Sequence, residues 1–413
     1  MGRANYLAVF LLFVSFTCNE FVFAESGWQR IEVPASFVDR DGVTRQPRCA
    51  GAPQLTAGGI EPTDTEFSFF VREGNPRKLL IALDGGGACW EANTCIGSAL
   101  AGDPIYEPVV NESPESLVTA GGLGDLDNPG NPLSDFTQVF VPYCTGDIHW
   151  GSKDTQYVYT MPDGSPLPWT IHHRGFDNNV AVLAWLLDYY QSLGFAPSQV
   201  VLAGSSAGGY GVLLALPALK QLLPVTTRTY MIADSANGVV NDSFYQSALG
   251  GYALSGGNWG VETNIPDFLV GAFASGPNAM SVATYTTLAW HYPFTRFGQY
   301  TRAWDEVQIF YYNVMQNIDY PERWTDQAYL LANALPWSIK ARTNMQLSAL
   351  AFNYRYYIAA GTEHVILPED SFYEENSAQG LYFRDWVDDM VNQRFLWRAK
   401  DWRNVSCFPN CLQ

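Results

Sequence analysis

The sequence predicts an α/β protein: a mostly parallel sheet with helices on both faces. Two observations carry this. Five short apolar runs end abruptly at Gly, Asp or Cys, as buried parallel strands do, and helical patterns lie between them. The runs are Lys78–Leu83, ending at Asp84-Gly85-Gly86-Gly87; Gln138–Tyr143, ending at Cys144; Gln199–Ala203, ending at Gly204-Ser205-Ser206; Thr229–Ala233, ending at Asp234-Ser235; and Tyr354–Ala360, ending at Gly361-Thr362-Glu363-His364. Apolar residues recur at helical spacing over Asn178–Leu193 and Gly208–Leu223, and Phe383–Arg398 reads as an amphipathic C-terminal helix. Ligands of such sheets gather at the carboxyl ends of the strands, where these terminating motifs fall.

The first 24 residues have the layout of a secretory signal peptide. Arg3 precedes an apolar run over Tyr6–Phe16, and Val22-Phe23-Ala24 offers a cleavage site after Ala24. That run is too short to span a bilayer, so the expected product is secreted or periplasmic, without stable membrane insertion. Residues 25–413 read as one catalytic domain, because no Pro/Ser-rich linker or charge run divides them. Residues 252–342, rich in Gly, Trp, Tyr and Phe, break the strand–helix rhythm and are expected to form an embedded cap. Trp259, Phe268, Phe273, Trp290, Tyr292 and Phe294 of that cap are candidates for the pocket, as are Trp90 and Trp150.

Charge excludes one class of partner. The net charge is −18, and Arg3 and Glu20 cancel when the signal is removed. Such a surface repels nucleic acid, and the expected state is a monomer. Cys18 leaves with the signal. The six remaining cysteines form an even set, which in an exported chain reads as disulfides. The short gaps pair Cys89 with Cys95 and Cys407 with Cys411, leaving Cys49–Cys144. No zinc-like spacing is present and the histidines do not cluster near the cysteines, so no metal is expected. Asn111, Asn241 and Asn404 head N-x-[ST] triplets.

Gly204-Ser205-Ser206-Ala207-Gly208 matches G-x-S-x-G, with a β-branched strand before it and an apolar helix after it. That context defines a nucleophile elbow: a serine on a sharp strand-to-helix turn, as in α/β-hydrolases. Ser206 is the candidate nucleophile. Ser205 is the rival, but only Ser206 has glycine two residues away on both sides. The glycines after Asp84 let backbone N–H groups face a ligand, as an oxyanion hole requires. Gly86, Gly87 and Ala207 are assigned to it. A phosphate loop is the alternative, but G-K-[ST] is absent.

The serine needs a base. His364, just past the last predicted strand, fits the order Ser, acid, His. His291 is the second choice, and His149, His172 and His173 precede the nucleophile. The acid is open between Asp234, favoured by its strand end, and Asp305.

The chain resembles the pectin acetylesterase/Notum carboxylesterase family over roughly residues 47–367. The pieces that match are Leu83-Asp84-Gly85-Gly86-Gly87-Ala88-Cys89-Trp90, Val141-Pro142-Tyr143-Cys144, Gly204–Gly209, Asp234-Ser235, Asp305-Glu306-Val307-Gln308 and His364. This resemblance implies Ser206, Asp305 and His364 as the triad, with Asp234 structural. Two departures bear on specificity: Gly87-Ala88 stands where many members carry a bulky aromatic, and Thr362-Glu363 precedes His364. The expected activity is therefore a serine carboxylesterase working through an acyl-enzyme without a cofactor. The resemblance implies an O-acetyl group on a polysaccharide such as pectin. The alternatives are a lipid or other small carboxylic ester, or an inactive fold that binds a glycan or protein.

Overall fold

The computed structural model describes residues 27–118 and 120–412, so the signal segment 1–24 lies outside the described residues. Nine strands form the central sheet: β1 (Trp28–Glu32), β2 (Ser68–Arg72), β3 (Asn75–Leu83), β4 (Phe136–Val141), β5 (Gln199–Ser205), β6 (Arg228–Asp234), β7 (Arg296–Arg302), β8 (Tyr354–Ala359) and β9 (Val405–Ser406). Their order across the sheet is β1-β2-β4-β3-β5-β6-β7-β8-β9. From β4 to β9 every neighbouring pair is parallel; β2 runs antiparallel to both β1 and β4. This is the α/β-hydrolase class of fold.

The central strands β3, β4, β5 and β6 are largely apolar because both faces are covered. Side chains alternate by period two. Leu79, Ile81, Leu83, Val200, Leu202 and Met231 enter one core, where they meet α1 (Gly175–Leu193) and α2 (Ala207–Leu222). Leu80, Val201, Ala203, Tyr230 and Ile232 enter the other, closed by Phe383, Trp386, Val387 and Met390. Helices between strands include α3 (Asp242–Leu249), α4 (Asp267–Phe273), α5 (Met280–His291), α6 (Glu306–Gln316) and α7 (Gln327–Ser348); α8 (Phe383–Asn392) closes the second face. The C-terminal helix stops at Asn392 rather than Arg398, because beyond Val391 the apolar residues no longer return to the buried face: Phe395 and Leu396 are exposed.

The predicted cap, 252–342, is not one insertion. β7 lies inside that range and is a full member of the sheet, between β6 and β8. Its sequence, Arg-Phe-Gly-Gln-Tyr-Thr-Arg, lacks an apolar run, and Arg296 and Gln299 find their own partners. Arg296 packs over the rings of Tyr230 and Trp402 and donates to the Met390 carbonyl. Gln299 donates to Ala236 O at 2.9 Å. The helical layer over the site therefore comes in two pieces, one before β7 and one after it.

Disulfides join Cys49 to Cys144, Cys89 to Cys95, and Cys407 to Cys411. The first ties the segment before β2 to the end of β4; the second closes the loop after β3. No helix among the described residues is long and apolar enough to cross a membrane.

Candidate active site

Ser206 sits between β5 and α2 with φ 53° and ψ −118°, a region costly for any residue with a Cβ. The turn is held from both sides: Ser206 N donates to Asp234 O, and Gly209 N to Ser206 O, each at 2.9 Å. Glycine is needed beside it for close approach. A Cβ on Gly209 would lie 2.6 Å from Asp234 O, and one on Gly208 would strike the Leu83 carbonyl. Ser205 turns away, its hydroxyl donating to Asp234 Oδ2 at 3.2 Å.

Asp305 caps α6, accepting from Gln308 N at 2.9 Å, and takes a second bond from Gln308 Nε2 at 2.9 Å. An acid followed three residues later by glutamine is a capping-box pattern, a signal present in the sequence and overlooked there. The fully buried carboxylate of Asp305 then faces His364 Nδ1, 2.8 and 2.9 Å from its two oxygens. With the proton on Nδ1, His364 Nε2 presents a lone pair. That atom is buried, has no hydrogen-bond partner among the described residues, and belongs to a side chain that lines the same cavity as Ser206. Burial pushes the imidazole pKa down, but the charge and hydrogen bond of Asp305, with Asp234 and Glu306, outweigh it and hold the group above its usual 6.5.

Asp234 serves the same loop differently. Its Oδ2 accepts Ile366 N at 2.7 Å and Leu367 N at 2.9 Å, which fixes the backbone just after His364. Burial raises its pKa to about 6 against these bonds.

The other histidines are occupied elsewhere. His291 is exposed and stacked on Phe268 at 3.7 Å, and His172 Nδ1 meets Asp154 at 2.9 Å. His173 is held by Tyr157 and the Thr145 carbonyl; although it lies near Cys89 and Cys95, both sulfurs are in the disulfide, so neither is available to a metal. His149 Nε2 donates to the Asp84 carbonyl at 3.0 Å, bracing the glycine loop.

That loop lies against the nucleophile: a Cβ on Gly85 would come within 3.0 Å of Ser206 Cβ. Gly86 and Gly87 have φ of 139° and 75°, open to glycine alone. Neither donates its N–H to another described residue, and nor does Ala207 at the start of α2. Gly87 and Ala207 line the same cavity as Ser206.

A pocket of about 850 Å³, including its mouth, extends from Ser206 under the helical layer. Its walls are apolar, with Trp90, Trp150, Leu213, Val240, Phe244 and Met315 among them. Sequence reasoning missed Ile148, Tyr210, Tyr285, Tyr311 and Trp337 there; Tyr210 and Tyr311 follow recognised motifs by one or more turns, and no pattern says which face they present. Trp290 and Tyr292, expected on the pocket, are not part of it. Trp290 is 63% exposed and packs on Phe352, while Tyr292 meets Phe268 and His291. Both follow from position: the end of α5 leads into the amino end of β7, whereas the site is at the carboxyl ends. Phe294, 96% exposed, goes with them, and Trp259 and Phe273 are interior core.

Fold and site together place the protein in the α/β-hydrolase class. The pectinacetylesterase family model matches residues 66–246. Among curated relatives, the palmitoleoyl-protein carboxylesterase NOTUM of Schmidtea mediterranea is 29% identical over 150 residues, covering 36% of this chain and 25% of the relative. Lipase 2 of Moraxella sp. (strain TA144) is 32% identical over 114 residues, 25% of this chain and 26% of the relative. The matches thus span 25–30% of the relatives' own lengths. The solved structure of the Wnt deacylase Notum from Drosophila superposes with a TM-score of 0.54 at 17% identity, covering 86% of this chain and 91% of that one. Residues 66–246 are thus similar to the pectinacetylesterase family, and the fold over most of the chain is similar to that of Notum.

Proposed function

We propose that the protein is a serine carboxylesterase exported to an oxidising compartment, with Ser206 as nucleophile, His364 as base and Asp305 as its orienting acid. The observation that carries this is the unpartnered, buried Nε2 of His364 on the cavity of Ser206, with Nδ1 bound to Asp305. In the reaction, Ser206 Oγ attacks the ester carbonyl carbon while His364 Nε2 takes the hydroxyl proton. The oxyanion faces the N–H groups of Gly86, Gly87 and Ala207. The carbon–alkoxy bond then breaks, the alkoxide leaves with the proton from His364, and water repeats the sequence on the acyl-enzyme.

The pocket favours an aliphatic acyl group longer than acetyl, since its walls are apolar and each methylene buried there contributes about 0.8 kcal/mol. Acetyl on a polysaccharide is the second reading, carried by the family match. Three disulfides support export.

Hydrolysis of p-nitrophenyl acetate, butyrate and octanoate, with Ser206→Ala alongside, separates these readings. Butyrate or octanoate above acetate in kcat/KM, with activity lost in the variant, is expected. Acetate ranking first favours the second reading, and equal rates in both proteins overturn the mechanism. A folded protein inactive on all three esters is the outcome that points to a binding role.

A further inference from the structure

His364 borders two spaces. One is the apolar pocket it shares with Ser206; the other is a separate polar crevice on its outer side, about 920 Å³ including its mouth, formed by the end of β7 and the loop after β8. Its walls carry Glu363, Glu369, Asp370, Ser371 and Arg302. The cation is already taken: the Glu375 carboxylate lies 2.9 Å from one guanidinium nitrogen and that of Glu363 3.0 Å from another, and the Ala360 carbonyl also accepts from it. Across the site, Glu107 flanks the oxyanion loop, close enough that a Cβ on Gly86 would meet its Cγ at 2.9 Å. The crevice wall is therefore acidic, and among the described residues its lining carries no unpaired cation.

Resting on the esterase reading, we propose that this crevice receives the alcohol half of the substrate and selects for a polar alcohol without negative charge. The chemistry of the step sets the direction. The acyl chain occupies the apolar pocket, and the alkoxide must leave past the imidazole that protonates it. It thus emerges where His364 meets the crevice. The carboxylates there raise the free energy of an anionic alcohol approaching them and lower that of a cationic one. Polygalacturonate, a polyanion, is on this account a poor leaving group.

The test uses one acyl group on three alcohols: butyrylcholine, its uncharged isostere 3,3-dimethylbutyl butyrate, and O-butyrylglycolate, with p-nitrophenyl butyrate as reference. At low ionic strength the expected kcat/KM of the anionic ester is about tenfold below that of the neutral one, with the cationic ester at or above it. The contrast should shrink in 0.5 M salt, where screening shortens to about 4 Å. Glu363→Gln combined with Asp370→Asn, both exposed positions, should raise the anionic-to-neutral ratio severalfold. An anionic ester cleaved as fast as the neutral one, or a ratio unmoved by the double substitution, overturns the proposal while leaving the esterase standing. Cleavage of p-nitrophenyl butyrate with none of the three alkyl esters turned over also overturns it. Loss of all four reactions in folded protein removes the esterase reading itself.

Discussion

At the scale of residues, two aspartates compete for one role, and the structure separates them by what each oxygen touches. Asp305 binds the ring of His364, whereas Asp234 binds the backbone beyond it. Asp305→Asn is therefore expected to lower kcat by roughly 10³-fold or more, since an amide there no longer holds the imidazole in the required tautomer. Asp234→Asn should cost far less in kcat and show mainly as a lower thermal midpoint. Comparable kcat losses in the two variants would contradict the assignment. The pH profile tests the base. In the proposed mechanism His364 acts only when neutral, and its pKa is held above 6.5. Activity should thus fall as pH drops through a midpoint above that value; a plateau continuing below pH ~5 would exclude His364. The candidate nucleophile and base could be picked out because their motifs stand at strand ends. Asp305 was not settled by the residues, because a buried carboxylate on a helix N-terminus looks the same as an ordinary cap.

Elements explain why part of the fold could be read and part could not. β3, β5 and β6 are apolar runs because both faces are covered, and α1 and α2 announce themselves by period. β7 hid because Arg296 and Gln299 meet their partners across long sequence distances, with Met390 and Ala236, which no local pattern records. The cap was consequently drawn through it, and Trp290 and Tyr292 were assigned to a pocket at the wrong end of the sheet. The crossing of β5 into α2 supplies its own prediction. Gly209→Ala would force a Cβ to 2.6 Å from the Asp234 carbonyl, which should destabilise the fold by about 1–3 kcal/mol in denaturant titration. A change below about 0.5 kcal/mol would show that the elbow is looser than described.

For the whole molecule, the disulfides and the paired halves of the site matter most. Cys49–Cys144 spans 95 residues and Cys407–Cys411 only 4. Removing the first with a double Ala substitution should cost about 2–5 kcal/mol, and removing the second less, if chain entropy dominates. The reverse order in equilibrium unfolding would show that the C-terminal bridge carries a role beyond entropy. The proposed function makes Ser206, activated by His364, the group that carries the acyl chain between the apolar pocket and the acidic crevice. The most direct test of that claim is reaction of the folded protein with an alkyl fluorophosphonate, followed by peptide mass mapping. The account predicts one adduct, on Ser206, that does not form in His364→Ala. Labelling at Ser205 or elsewhere, or undiminished labelling without His364, would contradict it.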